Sequence, residues 1–173
     1  MSRRMWALSC VACMLAVSNG SAQPAPAESQ PTAANLAPPQ AAPAYGAPIT
    51  LAQAKVMAAV IDAEAARINK NTIVVAIVQP SGDLVYFEKM DGSTYISIQY
   101  AQMKARMAAR YRVPSGNLPP NGSSLPDAIA LGGGLPIVHE GKTIGGIGVS
   151  GVEEHGAAAR FAQAAIDALD KKK

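Results

Sequence analysis

From Ile49 onward the chain switches between two hydrophobic periods, and their order predicts the architecture. Leu51, Ala54, Ala58, Ile61, Ala65 and Ile68 recur at alternating steps of three and four, the spacing of one helical face. Thr50-Leu-Ala-Gln53 reads as a capping box in front of them, so a first helix is expected over 51–69. Thr72–Gln79 (TIVVAIVQ) is β-branched and almost wholly apolar, and Leu84–Glu88 is similarly strand-like. Pro80-Ser-Gly-Asp83 supplies turn chemistry between them, which predicts an antiparallel hairpin. Ile96, Tyr100, Met103 and Met107 mark a second helix over 94–111 that ends before Pro114, with Lys104, Arg106 and Arg110 on its other face. Arg112–Gly134 is rich in Pro, Gly, Ser and Asn, and only Leu125–Leu131 is patterned for a short helical turn. A loop this long within a compact domain usually serves function or an interface. Leu135–His139 and Thr143–Ser150 predict a second hairpin around Glu140-Gly141. Glu154, Ala158, Phe161, Ala165 and Leu169 then give the edge of a third helix starting about Glu153. The order α-β-β-α-loop-β-β-α implies an α+β fold, an antiparallel sheet covered by helices.

Ahead of this domain the pattern changes twice. Arg3 and Arg4 precede an apolar run from Met5 to Val17, and Ser18–Ala22 offers small residues for cleavage after Ala22, so residues 1–22 read as a Sec signal peptide. The run is too short to span a bilayer as an anchor, so no stable membrane insertion is expected after cleavage. Cys10 and Cys13, the chain's two cysteines, both lie within it, which leaves the mature protein without a disulfide or a thiolate metal site. Residues 23–48 hold seven prolines and nine alanines with Glu28 as the single charge; no proline-free window is long enough for a helix, and a flexible tether is expected. The remaining 49–173 suffice for one core. Loss of Arg3 and Arg4 lowers Lys plus Arg from 15 to 13 against 12 Asp plus Glu, so the formal charge falls from +3 to +1. A near-neutral chain with few aromatics argues against a nucleic-acid partner.

Gly132–Gly151 holds eight of the chain's fifteen glycines and spells GxGxxG at Gly146-Ile-Gly148-Val-Ser-Gly151. A dinucleotide site needs a second parallel strand after the following helix, and the chain reaches Lys173 without one. The glycines are therefore expected where backbones approach closely or φ turns positive. Other candidate groups each admit two readings. Asp91-Gly92 is either turn chemistry or a polar lip on a cleft. Lys104 and Arg106, two apart on a helix, point in different directions and fit either a solvated face or an anion partner, with Arg106 better suited to a bidentate carboxylate. His139 in the second hairpin turn reads as exposed and inert. His155, in the expected first turn of the third helix, is either simply exposed or a ligand where N–H groups favour an anion. Met90, Met103 and Met107 read as core filling or thioether ligands, and Tyr95, Tyr100 and Tyr111 are phenols that are able to ligate ferric haem. Ser150 sits in GVSG with no nucleophile elbow around it, and two histidines are too few for a three-ligand zinc site, so no catalytic residue is assigned.

Four segments in order, Phe87-Glu-Lys-Met-Asp-Gly92, Lys104-Ala-Arg106, Gly133-Gly-Leu-Pro-Ile137 and Ile144-Gly-Gly-Ile-Gly-Val-Ser-Gly151, resemble the successive motifs of the GlcG/HbpS-like haem-binding family. The resemblance spans Ile49 to Leu169. It implies a profilin-like fold, assembly into homo-oligomers and, for characterised members, haem binding. On that basis the leading expectation is a periplasmic or secreted protein that binds haem or a similar flat anionic ring compound, between the second helix and the glycine hairpin or across a subunit interface. Met90, Asp91, Gly92, Lys104, Arg106, Ser150 and His155 are the candidate ligand-binding residues, with His155 a candidate axial ligand. The alternative is an enzyme on the same scaffold acting on a small carboxylate or oxidised metabolite, with Lys104, Arg106 and His155 as its polar groups.

Export has a direct check. Intact mass of protein recovered from the periplasm or medium is expected to show a mature N-terminus at Gln23; a product retaining residues 1–22 would contradict the signal peptide.

Overall fold

The computed structural model describes residues 42–117, 128–152 and 156–171. Three helices, α1 (Leu51–Arg67), α2 (Tyr95–Tyr111) and α3 (Ala157–Asp170), surround strands β1 (Val74–Val78), β2 (Leu84–Lys89), β3 (Gly134–His139) and β4 (Lys142–Ser150). The strands form one antiparallel sheet in the order β2-β1-β4-β3, confirming the α+β expectation. α1 begins at Thr50, whose hydroxyl accepts from the Gln53 N–H while the Gln53 side chain reaches back to the Thr50 N–H, the predicted capping box. The β3–β4 hairpin turns on Glu140 and Gly141, both at positive φ (50° and 74°), the two-residue geometry that matches strand twist. Pro136 lies on the edge strand β3, where a missing N–H is tolerated.

The two faces of the sheet are covered differently. Val75, Ile77, Ile147, Val149 and Ile137 pack beneath α1 and α3, in one cluster with Met57, Ile61, Phe161, Ala162 and Ile166. Val74, Ala76 and Val78 face the other way, against Ala101, Ala105 and Ala109 of α2. β1 is buried along its whole length, which is why its sequence is continuously apolar rather than alternating.

Helix α2 departs from the expected stripe. Its buried face runs through Ala101, Lys104, Ala105, Ala108 and Ala109, with Met107, while Ile96 is exposed and Tyr100 and Met103 are half-buried. The reason lies in β4. A Cβ placed on Gly148 would stand 2.0 Å from the Ala101 carbonyl oxygen, and one on Gly146 would stand 2.4 Å from that of Ala105. Helix and strand therefore meet backbone to backbone, and only alanines on α2 and glycines on β4 permit it. The GxGxxG run thus serves packing, on an inner antiparallel strand with no dinucleotide geometry.

Four smaller differences separate the structure from the expected pattern. The end of the expected tether is docked: Thr143 N–H donates to Ala44, Gly46 N–H to Thr143 and Ile49 N–H to Ile144, so residues 44–49 line the edge of β4. Tyr45 donates its hydroxyl to the Arg110 carbonyl at the end of α2, and the Arg112 guanidinium stacks 4.8 Å over the Tyr45 ring. His139 is half-buried with Nδ1 3.1 Å from Asp170 Oδ1, not an isolated turn residue. α3 starts at Ala157 behind Gly156 at φ 78°, rather than near Glu153. Residues 128–131 of the expected short helical turn are not helical, and the rest of that segment lies outside the described residues. No helix among the described residues is long and apolar enough to cross a membrane.

The helix–strand contact yields a paired test. Gly148→Ala is expected to lower stability by about 3 kcal/mol, at the upper end of overpacking costs. Gly132→Ala, where an added Cβ meets nothing within 4 Å, is expected to be neutral. Urea unfolding of both variants checks the difference.

Candidate functional site

Strand register gathers most of the candidate residues at one end of the sheet. Val74 opens β1 and pairs with Lys89 on one side and Ser150 on the other, while Gly134 pairs with Gly148. The Met90–Gly92 turn, the end of β4 and the start of β3 therefore emerge together. Met90 donates its N–H to Ile73 and packs against the larger core, consistent with core filling. Gly92 N–H donates to Asn71, and a Cβ there would come within 2.6 Å of Asn71 Oδ1, so Asp91-Gly92 is a pinned turn with Asp91 exposed. Ser150 is buried opposite Val74.

Lys104 is the unexpected residue of this group. The solvated face read for it does not hold: it is only 5% exposed, and its Nζ donates to the Val149 carbonyl at 3.1 Å. A Cβ on Gly133 would lie 3.3 Å from that Nζ and 2.7 Å from Ala158 Cβ, so the amine is walled in between α2, β4 and the start of α3. Burial pushes its pKa below the usual lysine value. The helical period hid this, because a lysine on an alanine-rich face reads as polar surface.

Arg106 engages different surroundings. Its Nη2 donates to Gln102 Oε1 at 3.3 Å, and its charge reaches Asp83 in the β1–β2 turn, at the opposite end of the sheet. The Asp83 carboxyl is held below its usual value by hydrogen bonds from Ser81 and Gln79, then by Arg110 and Arg106. Arg110, expected on the polar face of the second helix, donates Nε to the Ser81 carbonyl at 2.8 Å and so holds that turn. The fold thus separates Lys104 from Arg106. His155 lies outside the described residues, as do Glu153 and Glu154. A ligand between α2 and the glycine strand is excluded by their direct contact.

Sequence patterning also passed over a titratable cluster where α1 meets β2. Tyr86 donates to Glu88 Oε2, which, with burial, raises the Tyr86 pKa to about 12. Asp62 of α1 faces the same carboxylate, and burial and then Glu88 raise its pKa. Asp62 and Glu88 are far apart in sequence, so no local motif marks them.

Comparison with known proteins places this geometry. The family model described as "Haem degrading protein HbpS-like" matches residues 49–167. The chain belongs to the HbpS-like family. An uncharacterized 15.0 kDa protein of Citrobacter freundii, from the dhaT-dhaS intergenic region, is 34% identical over 116 residues, covering 61% of this chain and 81% of that protein. A double mutant of HbpS from Streptomyces reticuli is 26% identical with a TM-score of 0.66, covering 80% of this chain and 99% of that one. The PduOC:heme complex shares the fold at 23% identity and a TM-score of 0.62, over 70% of this chain and 94% of that one.

The buried amine makes a pH-dependent prediction. Burial disfavours the ammonium only in the folded chain, so the penalty is full below the depressed folded pKa and fades as pH climbs to the usual lysine value. Lys104→Met is expected to be more stable than wild type at pH 7 by about 1–3 kcal/mol, with the advantage shrinking toward pH 10. Urea unfolding at both pH values measures it.

Proposed function

We propose that this protein is an exported haem-binding member of the HbpS-like family that works as a homo-oligomer. The observation that carries the reading is the family match across residues 49–167, on a fold that holds heme in the PduOC complex. Export draws on the signal-peptide pattern of residues 1–22, with the periplasm or medium as destination. Self-association draws on α2, where Tyr95 and Ile96 are exposed and Tyr100 and Met103 half-buried along one apolar flank. With the space between α2 and β4 closed, haem is assigned to an open surface of the domain or to the junction between copies.

Titration with hemin is expected to produce a saturable Soret band, and its absence would remove haem from the reading. His155→Ala is expected to change the spectrum if the imidazole ligates iron; an unchanged spectrum leaves a phenol or thioether as ligand. Arg106→Ala is expected to weaken binding by about 1.5–3 kcal/mol if it pairs with a propionate, roughly ten- to hundredfold. Light scattering is expected to report a multimer at micromolar concentration, and a strictly monomeric mass would end the oligomer proposal.

A further inference from the structure

Two concavities of the described surface differ in what their walls offer. A cleft of about 600 Å³ opens between α1 and α3, with Ile68, Lys70, Val152, Arg160 and Phe161 among its lining residues. The chain between two of its lining residues, Val152 and Ala157, runs partly outside the described residues. A smaller pocket, of about 410 Å³, lies where the docked segment, the start of α1 and the β3–β4 turn meet. Its volume falls in the ordinary range for small-molecule sites.

Ala47, Pro48 and Ile144 give this pocket an apolar wall. Thr50 and Gln53 also line it, but their side chains are bonded to each other in the capping box. Glu140 and Lys142 stand at the turn with opposite charges, so net charge selects nothing there. The remaining lining group able to bind is His139, whose side chain is 24% exposed. Its Nδ1 stands 3.1 Å from Asp170 Oδ1 at the end of α3. An ionised carboxylate only accepts, so the proton of the neutral ring sits on Nδ1 and Nε2 keeps its lone pair. No hydrogen bond among the described residues engages Nε2. Asp170 does not line the pocket, so the ring edge that remains for the pocket is the one carrying Nε2.

An imidazole tied through Nδ1 to a carboxylate is built as a metal ligand, because that hydrogen bond fixes tautomer and orientation and raises the basicity of Nε2. A single such nitrogen beside an apolar wall suits a metal centre that brings its own equatorial ligands, as haem iron does. Within the haem reading, on which the identity of the ligand rests, we propose that His139 is an axial haem ligand in the pocket walled by Ala47, Pro48 and Ile144. Asp170 is the residue that positions it.

The test is hemin titration of the purified protein, read by visible spectrum, for wild type, His139→Gly, His155→Ala and Asp170→Asn, with circular dichroism reporting folding. His139→Gly is expected to shift or abolish the Soret band, and added free imidazole is expected to restore it by occupying the vacated position. Asp170→Asn is expected to weaken binding about tenfold and, by removing the charge behind the imidazole, to raise the ferric/ferrous potential. Those results, with the band of His155→Ala unchanged, put the ligand at His139 ahead of any phenol or thioether. A wild-type band in His139→Gly overturns the site and leaves the haem reading standing. A band altered in His139→Gly but not restored by imidazole, with the Asp170→Asn potential unchanged, shows a structural role only and also overturns it. If His139→Gly misfolds, Asp170→Asn carries the test, and an unchanged potential overturns the proposal. No hemin binding by wild type overturns the haem reading and this site together.

Discussion

The fold depends on how closely α2 approaches β4. Backbone of one element meets backbone of the other at Gly146 and Gly148, where any side chain would strike the carbonyls of Ala105 or Ala101. That contact makes α2 an alanine-faced helix and gives the central strands a second buried side. It also closes the space in which a ligand was expected, so binding has to occur elsewhere on the domain. Lys104 shares this seam, and its aliphatic stem follows the alanine face while its amine ends at the Val149 carbonyl.

The opposite face has a looser construction. α1 and α3 cover it with larger side chains, including Met57, Ile61, Phe161 and Ile166, and they part at one end to leave the cleft. The contrast has a physical origin. Small residues allow close, featureless contact, whereas helices separated by bulky side chains leave concavities where those side chains end. The buried Lys104 and the cleft therefore sit on different faces of the sheet: Lys104 is desolvated and bonded to backbone, while Lys70 and Arg160 line the cleft.

The docked segment 44–49 shows how a low-complexity sequence becomes structure once a partner exists. Its alanines and prolines have no helical or strand period, yet its backbone groups bond to Thr143 and Ile144 and Tyr45 bonds to the end of α2. Edge N–H and C=O groups of β4 that would otherwise face solvent are thereby paired. The packing of the domain thus extends several residues ahead of the first helix.

Local sequence determined the elements, their order and the turns, because each depends on neighbours within a few residues. The Thr50 and Gln53 cap, the Glu140-Gly141 turn and the double-sided run of β1 are all of this kind. Motif order was enough to indicate the family. Tertiary structure alone decided which face of α2 is buried, since alanine carries too little hydrophobic signal to outweigh Ile96, Tyr100 and Met103 until glycines across the interface demand it. It also decided that Lys104 and Arg106 serve opposite ends of the sheet. The cleft was equally hidden, because Ile68, Lys70, Val152, Arg160 and Phe161 come from segments far apart in the chain. Periodicity reports what a residue prefers along its own element, whereas a site is made by the distances between elements.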